Sequence, residues 1–257
     1  MPFTISHMVL APPIYKISRG RLALAPLAIG CMTPDLYRLF TSADLAITHQ
    51  WSSLISYNLA LGALLSFLWF WLYRPVLYCF LNLSHPLQLH SLKQYISFIF
   101  FSAISIVLGA SSHLVWDGLT HLDYRTYAFN EFLDQQVHFG THAYAMHFVL
   151  QILFSIIALP PLIWMLFKYI KRHTVTVRKT QSWIKYYAWS LFACSVLSGS
   201  LGYWLFANSV LPTLVHTDPY YYLGRSLNRF AGYFLLVFSL GCLLFRYLHS
   251  QRNISSG

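Results

Sequence analysis

The sequence predicts an all-α, polytopic membrane helical bundle with about five transmembrane helices and short N-terminal helices packed at one end. Three observations predict it. Of 257 residues, 57% are apolar and only 9% carry a formal charge, against roughly 25% charged in an ordinary soluble domain. The mean hydropathy is +0.53, suited to a chain whose solvent is mostly lipid. The apolar residues fall into five separate windows, each near the ~20 residues needed to cross a bilayer.

Residues 1–53 come first and are different. Ile5–Leu10 and Leu22–Met32 are apolar but too short to span, and Pro12-Pro13 and Pro34 close them. Short helices lying at the interface or against the bundle are expected there. The bundle then occupies residues 54–248. Its windows are Leu54–Tyr73, Tyr95–Trp116, Met146–Phe167, Tyr186–Ala207 and Leu227–Leu248, with Pro160 and Pro161 expected to kink the third. Trp69, Trp71, Trp116, Trp164 and Trp204 lie towards window ends, where indole rings prefer the headgroup zone. A polar tail, 249–257, follows. With five spans, one side collects 7 of the 17 Lys and Arg residues and the other 10. The cluster from Lys168 to Lys185 argues that its loop is cytoplasmic.

The net charge of +10 does not point to nucleic acid, because the basic residues are scattered between apolar runs as anchors. Cys31, Cys79, Cys194 and Cys242 are far apart, and no CxxC pair exists. Neither a zinc ribbon nor a disulfide framework is indicated. The opening MPFTISHMVLAPPIYK lacks a charged n-region, so no cleavable signal peptide is expected. There is no Gly-rich phosphate loop, GxSxG or HExxH, which leaves serine-hydrolase and zincin readings unsupported.

Candidate chemistry concentrates in SHLVWDGLTH, residues 112–121. His113, Asp117 and His121 are spaced by four, which puts them on one helix face. Gly118 could end the helix before His121 joins that face. Imidazole nitrogen and carboxylate oxygen are zinc ligands, and ionisable groups near the bilayer interior point to function. His7, Asp35 and His49 precede the first span and, by the span count, share a membrane side with Asp117 and His121. A second stripe, His147, Gln151 and Ser155, is again spaced by four. It reads either as interhelical hydrogen bonding or as support for a metal ligand. His216 and Asp218 lie on the candidate side, while His85, His90, His173 and His249 have no partner at ligand spacing.

The opening MPFTISH, the segment IGCMTPDLYR, Thr48-His49, the SHLVWDGLTH block, and Gln151 and Ser155 resemble domain-of-unknown-function family 4184, a family of bacterial membrane proteins. The family in turn resembles YdjM-type membrane-bound metal-dependent hydrolases and, distantly, zinc-dependent phospholipase C. The resemblance implies a bacterial inner-membrane protein with His7, Asp35, His49, His113 and Asp117 as metal-site residues. It implies a divalent cofactor, most naturally zinc, with His121, His142, His147 and Gln151 as further candidates. The phospholipase pattern continues with a later His and a His-x-x-x-Glu pair. Here His138-x-x-x-His142 is the nearest echo and lacks an acidic partner, which argues against a full trinuclear site.

Two functions follow as expectations. One is a membrane-embedded metal-dependent hydrolase acting on a lipid or lipid-linked substrate such as a phosphoester, with Asp35 or Asp117 as base if not ligated. The other is a non-enzymatic membrane protein with a structural metal site or a transport role. The lipid bilayer is the expected partner in both, and nucleic acid in neither.

Overall fold

A computed structural model describes residues 4–41, 46–140, 142–175 and 180–255. Among the described residues the fold is all-α apart from one small hairpin. Among them, five helices are long and apolar enough to cross a membrane: Trp51–Phe80, Leu92–Thr120, Met146–His173, Ser182–Ser209 and Tyr221–Arg252. They make the chain a multi-pass membrane protein. We call them spans one to five. Each is longer than its apolar window. Span one begins as a 3-10 turn, and π-helical segments at Leu54–Asn58 and Trp69–Tyr73 let the helix continue to Phe80. Span three runs through Pro160 and Pro161 to His173. The last helix extends over Pro219–Ser255, so the polar stretch after His249 is helical as far as Ser255.

The chain divides into two compact units, Met1–Ser66 with Gln88–Leu166, and Phe67–Leu87 with Phe167–Gly257. In the first unit, short helices Thr4–Leu10, Ala11–Ile17, Leu24–Gly30 and Thr33–Leu36 precede span one. The prolines that stop one helix also start the next, because a helix start needs no N–H at its first positions. Pro12 and Pro13 open Ala11–Ile17, and Pro34 opens Thr33–Leu36. A core of Ala11, Leu22, Leu27 and Cys31 ties these pieces together, with Ile104 of span two packed against it.

Span two starts at a capping box. Ser91 Oγ accepts from the Gln94 N–H at 3.3 Å, and the Gln94 side chain accepts from the Ser91 N–H at 3.0 Å. Further along, it meets Leu24–Gly30 backbone to backbone. A Cβ on Gly109 would lie 2.4 Å from the Leu27 carbonyl oxygen, and one on Gly30 would lie 2.4 Å from the Ile106 carbonyl oxygen. Only glycine permits that approach. It is held by Ser105, whose hydroxyl accepts from the Ala23 N–H at 2.9 Å.

The hairpin, strands Gln136–Phe139 and His142–Ala145, pairs antiparallel between spans two and three. The sequence pattern did not call for it, since four-residue strands carry too little alternation to read. In the second unit, Leu72, Val76, Ile184, Leu191, Cys242 and Phe245 form the core. Leu83 bridges to Thr174, and the His85 and His173 rings stack at 4.3 Å. These two loop histidines therefore have partners despite their distance in sequence.

Two outcomes are expected. Span three separates Tyr124 from Lys171 along the chain, and its 28 residues are about 42 Å long at 1.5 Å per residue. Cysteines placed at Tyr124, which is 61% exposed, and at Lys171 should label from opposite sides of the membrane; labelling from one side would refute the crossing. Gly109→Val should destabilise by about 1–3 kcal/mol, the usual cost of overpacking, read as a lower melting temperature in detergent. Gly140→Ala sits in open space but at φ +61°, so it costs only local strain and serves as the comparison.

Candidate metal centre

The first unit brings His7, Asp35, His49, His113, Asp117 and His121 into one buried cluster. None of the six is more than 6% exposed. Asp117 is the hub. Its carboxylate oxygens lie 3.4 Å from His113 Nε2, 3.7 Å from His49 Nε2, 3.7 Å from His7 Nε2 and 3.5 Å from His121 Nδ1. Asp35 lies 3.3 Å from His49 Nε2 and 4.0 Å from His113 Nε2. The His7 and His113 rings stack at 3.8 Å.

Most of these spacings are longer than ordinary hydrogen bonds. His7 Nδ1 and Nε2, His49 Nε2, His113 Nε2, Asp35 Oδ1 and Asp117 Oδ1 are buried without a hydrogen-bond partner. Unpaired buried polar atoms are costly. Ligand bonds of about 2.0–2.1 Å place tetrahedral donor atoms roughly 3.3–3.4 Å apart, close to the spacings found here. Among the described residues two groups, His7–Asp35–His113 and His49–His113–Asp117, each offer ligand atoms within 4.8 Å of one another. Buried His and Asp groups here can therefore hold a metal ion.

The surroundings fix which nitrogen faces inward. His113 Nδ1 lies 2.8 Å from the Cys31 carbonyl oxygen. A carbonyl only accepts, so Nδ1 carries the proton and Nε2 turns to the carboxylates. Thr48 spends its one hydroxyl proton on the Pro34 carbonyl at 2.9 Å, so towards His49 Nδ1, at 3.1 Å, it accepts. His49 also presents Nε2. This outward N–H and inward lone pair is how metal-binding histidines are usually oriented. His7 has neither arrangement.

The family model described as Domain of unknown function (DUF4184) matches residues 1–244. The chain belongs to this family. Comparison with curated proteins and with solved structures gave no match.

In this DUF4184 member, the other candidates fall around the cluster. Span two ends at Thr120, yet His121 remains beside Asp117, its Nδ1 3.2 Å from the Asp117 carbonyl. Gly118 has a different purpose from ending the helix. The Tyr127 ring occupies the place of its missing side chain, where a Cβ would come within 2.2 Å. Gln151 Nε2 donates to the Thr120 carbonyl at 3.0 Å, and Ser6 donates to the Ser155 carbonyl at 2.9 Å. Span three thus braces both the end of span two and the His7 segment. His147 Nδ1 lies 3.2 Å from the Leu133 carbonyl; it supports the short helix Asn130–Asp134 before the hairpin. His142 pairs with Phe139 in the hairpin, and its side chain, like that of His216, lies outside the described residues. Asp218 accepts from the Tyr221 N–H at 2.9 Å, as a helix cap does.

Two arginines complete the cluster. Arg125 Nη1 donates to Asp117 Oδ2 at 2.9 Å while its Nε grips Asp123 at 2.9 and 3.1 Å. Arg38 Nη1 lies 3.3 Å from Asp35 Oδ1. Arg38 was legible as an i,i+3 partner of Asp35. Nothing in the spacing of Arg125 reveals its contact, because the chain turns back after His121. Burial would push the Asp35 carboxyl up, but Arg38, His113 and His49 outweigh it and hold it well below the usual carboxylate range. Burial also works against the charge on Arg125, and Asp123 and Asp117 more than restore it.

Burial lowers His7, with His113 adding to the effect, and lowers His49 against the pull of Asp35. It takes the His121 imidazole down to about 3 against the pull of Asp117. An unfolded imidazole titrates near 6.5, so below that value the unfolded chain binds protons that the folded one refuses. Stability is then lost as pH falls. Asp35, depressed, keeps its contribution throughout this window. The melting temperature of the metal-free protein should fall between about pH 7 and pH 5, and His121→Gln should flatten the slope. Identical profiles for the two proteins would contradict a neutral, buried His121.

Proposed function

We propose that this cluster is the metal centre of a membrane-embedded hydrolase acting on a membrane-associated ester. The observation that carries the reading is the set of inward-facing, unpartnered imidazole and carboxylate atoms around Asp117. The resemblance of the motifs to metal-dependent hydrolases adds the reaction class and favours a lipid phosphoester as substrate. A cell-membrane location, the bacterial inner membrane, comes from the same resemblance.

The donor set indicates one ion per chain. Both candidate groups use His113, whose Nδ1 is committed to Cys31, and the remaining nitrogen has a single lone pair. The groups are therefore alternatives, not two sites. His49, His113 and Asp117 are the better ligands, since each has an outer partner: Thr48, the Cys31 carbonyl and Arg125. Mixed nitrogen and carboxylate donors suit zinc, and also Mn, Fe or Ni. When bound, such an ion polarises an ester oxygen and acidifies water.

The remaining residues then have distinct tasks. Arg125 pairs with Asp117 and keeps its carboxylate aimed inward. Asp35, not needed as a ligand in this arrangement, accepts a hydrogen bond from incoming water and orients it. His7, neutral and stacked on His113, fixes the His113 ring and closes that side of the cluster. Gln151 and Ser155 hold the supporting helix ends in place.

Elemental analysis of the purified protein should find one divalent metal per chain. His113→Ala and Asp117→Asn should lose it, whereas Asp35→Asn should keep it and lose chelator-sensitive hydrolysis of a phospholipid panel. Metal without hydrolysis in the parent protein would favour a structural or transport role. No metal in any preparation would remove the reading. Gln151→Leu should leave the protein folded and weaken metal affinity by about 10–100-fold, the usual loss when a ligand's support is cut; an unchanged affinity would return Gln151 to helix packing alone.

A further inference from the structure

Each carboxylate of the cluster carries one guanidinium, but the two arginines are committed differently. Arg125 is a clamp. Its side chain is 11% exposed, and Asp117 and Asp123 take its Nη1, Nε and Nη2 donors. Arg38 is not locked. Its side chain is 34% exposed, and it makes one 3.3 Å ion pair to Asp35. Among the described residues no hydrogen bond of its guanidinium is found. It leads from a carboxylate that is 1% exposed out towards the surface.

Charge counting says what Arg38 awaits. Asp35, Asp117 and Asp123 contribute three negative charges, and Arg38 and Arg125 two positive ones. With imidazoles neutral, as ligands must be, the set carries one net negative charge. A divalent ion turns that into one net positive charge. An uncompensated charge is expensive where water is scarce, so the loaded site favours an anion. The anion must also lie close to the ion, because Asp35 alone separates Arg38 from His49, at 3.3 Å on either side. Carboxylic esters and amides are neutral at the atom that is attacked. Phosphate esters carry their negative charge on that group, and a guanidinium fork matches its oxygens.

We propose that Arg38 is the specificity-determining residue of the site, and that it binds a phosphate-type oxyanion of the substrate. The inference rests on the metal-centre reading above. The oxyanion is shared by a lipid headgroup and a soluble phosphate ester, and the test separates these sources.

The test uses the full-length protein in detergent, preloaded with zinc and freed of excess. Inorganic phosphate and a short-chain phosphatidylglycerol are titrated separately, with metal content measured on every sample. Arg38→Gln should keep its zinc and lose about 10–100-fold in affinity for the preferred probe, the scale of a charge-assisted hydrogen-bond pair. Arg38→Lys, which keeps the charge without the fork, should fall between Arg38→Gln and the parent. A loss seen with phosphatidylglycerol alone assigns the site to lipid, and one seen with inorganic phosphate assigns it to soluble esters. Equal affinities in Arg38→Gln and the parent would overturn the role of Arg38 while leaving the metal centre standing. So would binding of neither probe by the zinc-loaded parent. Loss of zinc in both variants would make Arg38 a support for Asp35 and also overturn it. A parent protein that takes up no zinc would overturn both readings.

Discussion

Two carboxylates and four imidazoles are packed where water does not reach, and they must satisfy one another. Asp117 stands at the centre of that requirement. Its oxygens face His7, His49, His113, His121 and Arg125, which arrive from three parts of the chain. A buried carboxylate with fewer compensating neighbours would cost several kcal/mol. The architecture of the first unit can be understood as the means of delivering them. The 3-10 turn Thr4–Leu10 brings His7, the proline-started helix Thr33–Leu36 brings Asp35, and Ala46–His49 brings His49.

Delivery depends on how closely the short helices approach span two. Because Gly30 and Gly109 carry no side chains, the backbone of Leu24–Gly30 rests on the backbone of span two. That approach puts the carbonyl of Cys31 within reach of His113. Span three contributes from the other side, through Gln151 to Thr120 and through the Ser155 carbonyl to Ser6. Of the stripe read as either interhelical bonding or ligand support, the Gln151 side chain and the Ser155 carbonyl make contacts between segments that end one residue from His121 and His7.

Much of this was legible because membranes simplify the code. Apolar length gave the five spans, and the spacing of four gave the shared face of His113 and Asp117. The segments before span one could be assigned to the same end by counting crossings. What escaped depended on chain reversals or backbone atoms. Arg125 reaches Asp117 where the loop folds back, with Tyr127 seated on Gly118. The carbonyl of Cys31 has no residue type to betray it. Span one outruns its apolar window and contains π-helical segments that composition does not record.

The bond from His113 to the Cys31 carbonyl has a consequence for how this family can vary. A contact made by main chain is not removed by exchanging the side chain at position 31, whose own thiol packs in the core with Ala11, Leu22 and Leu27 and lies 3.5 Å from the Ser112 hydroxyl. Selection acting on the orientation of His113 therefore has no purchase on residue 31 itself. It falls on residues that set where that peptide lies, above all Gly30 and Gly109. Sites that look like inert spacers, remote from any charge, would then be as intolerant of replacement as the histidine they aim.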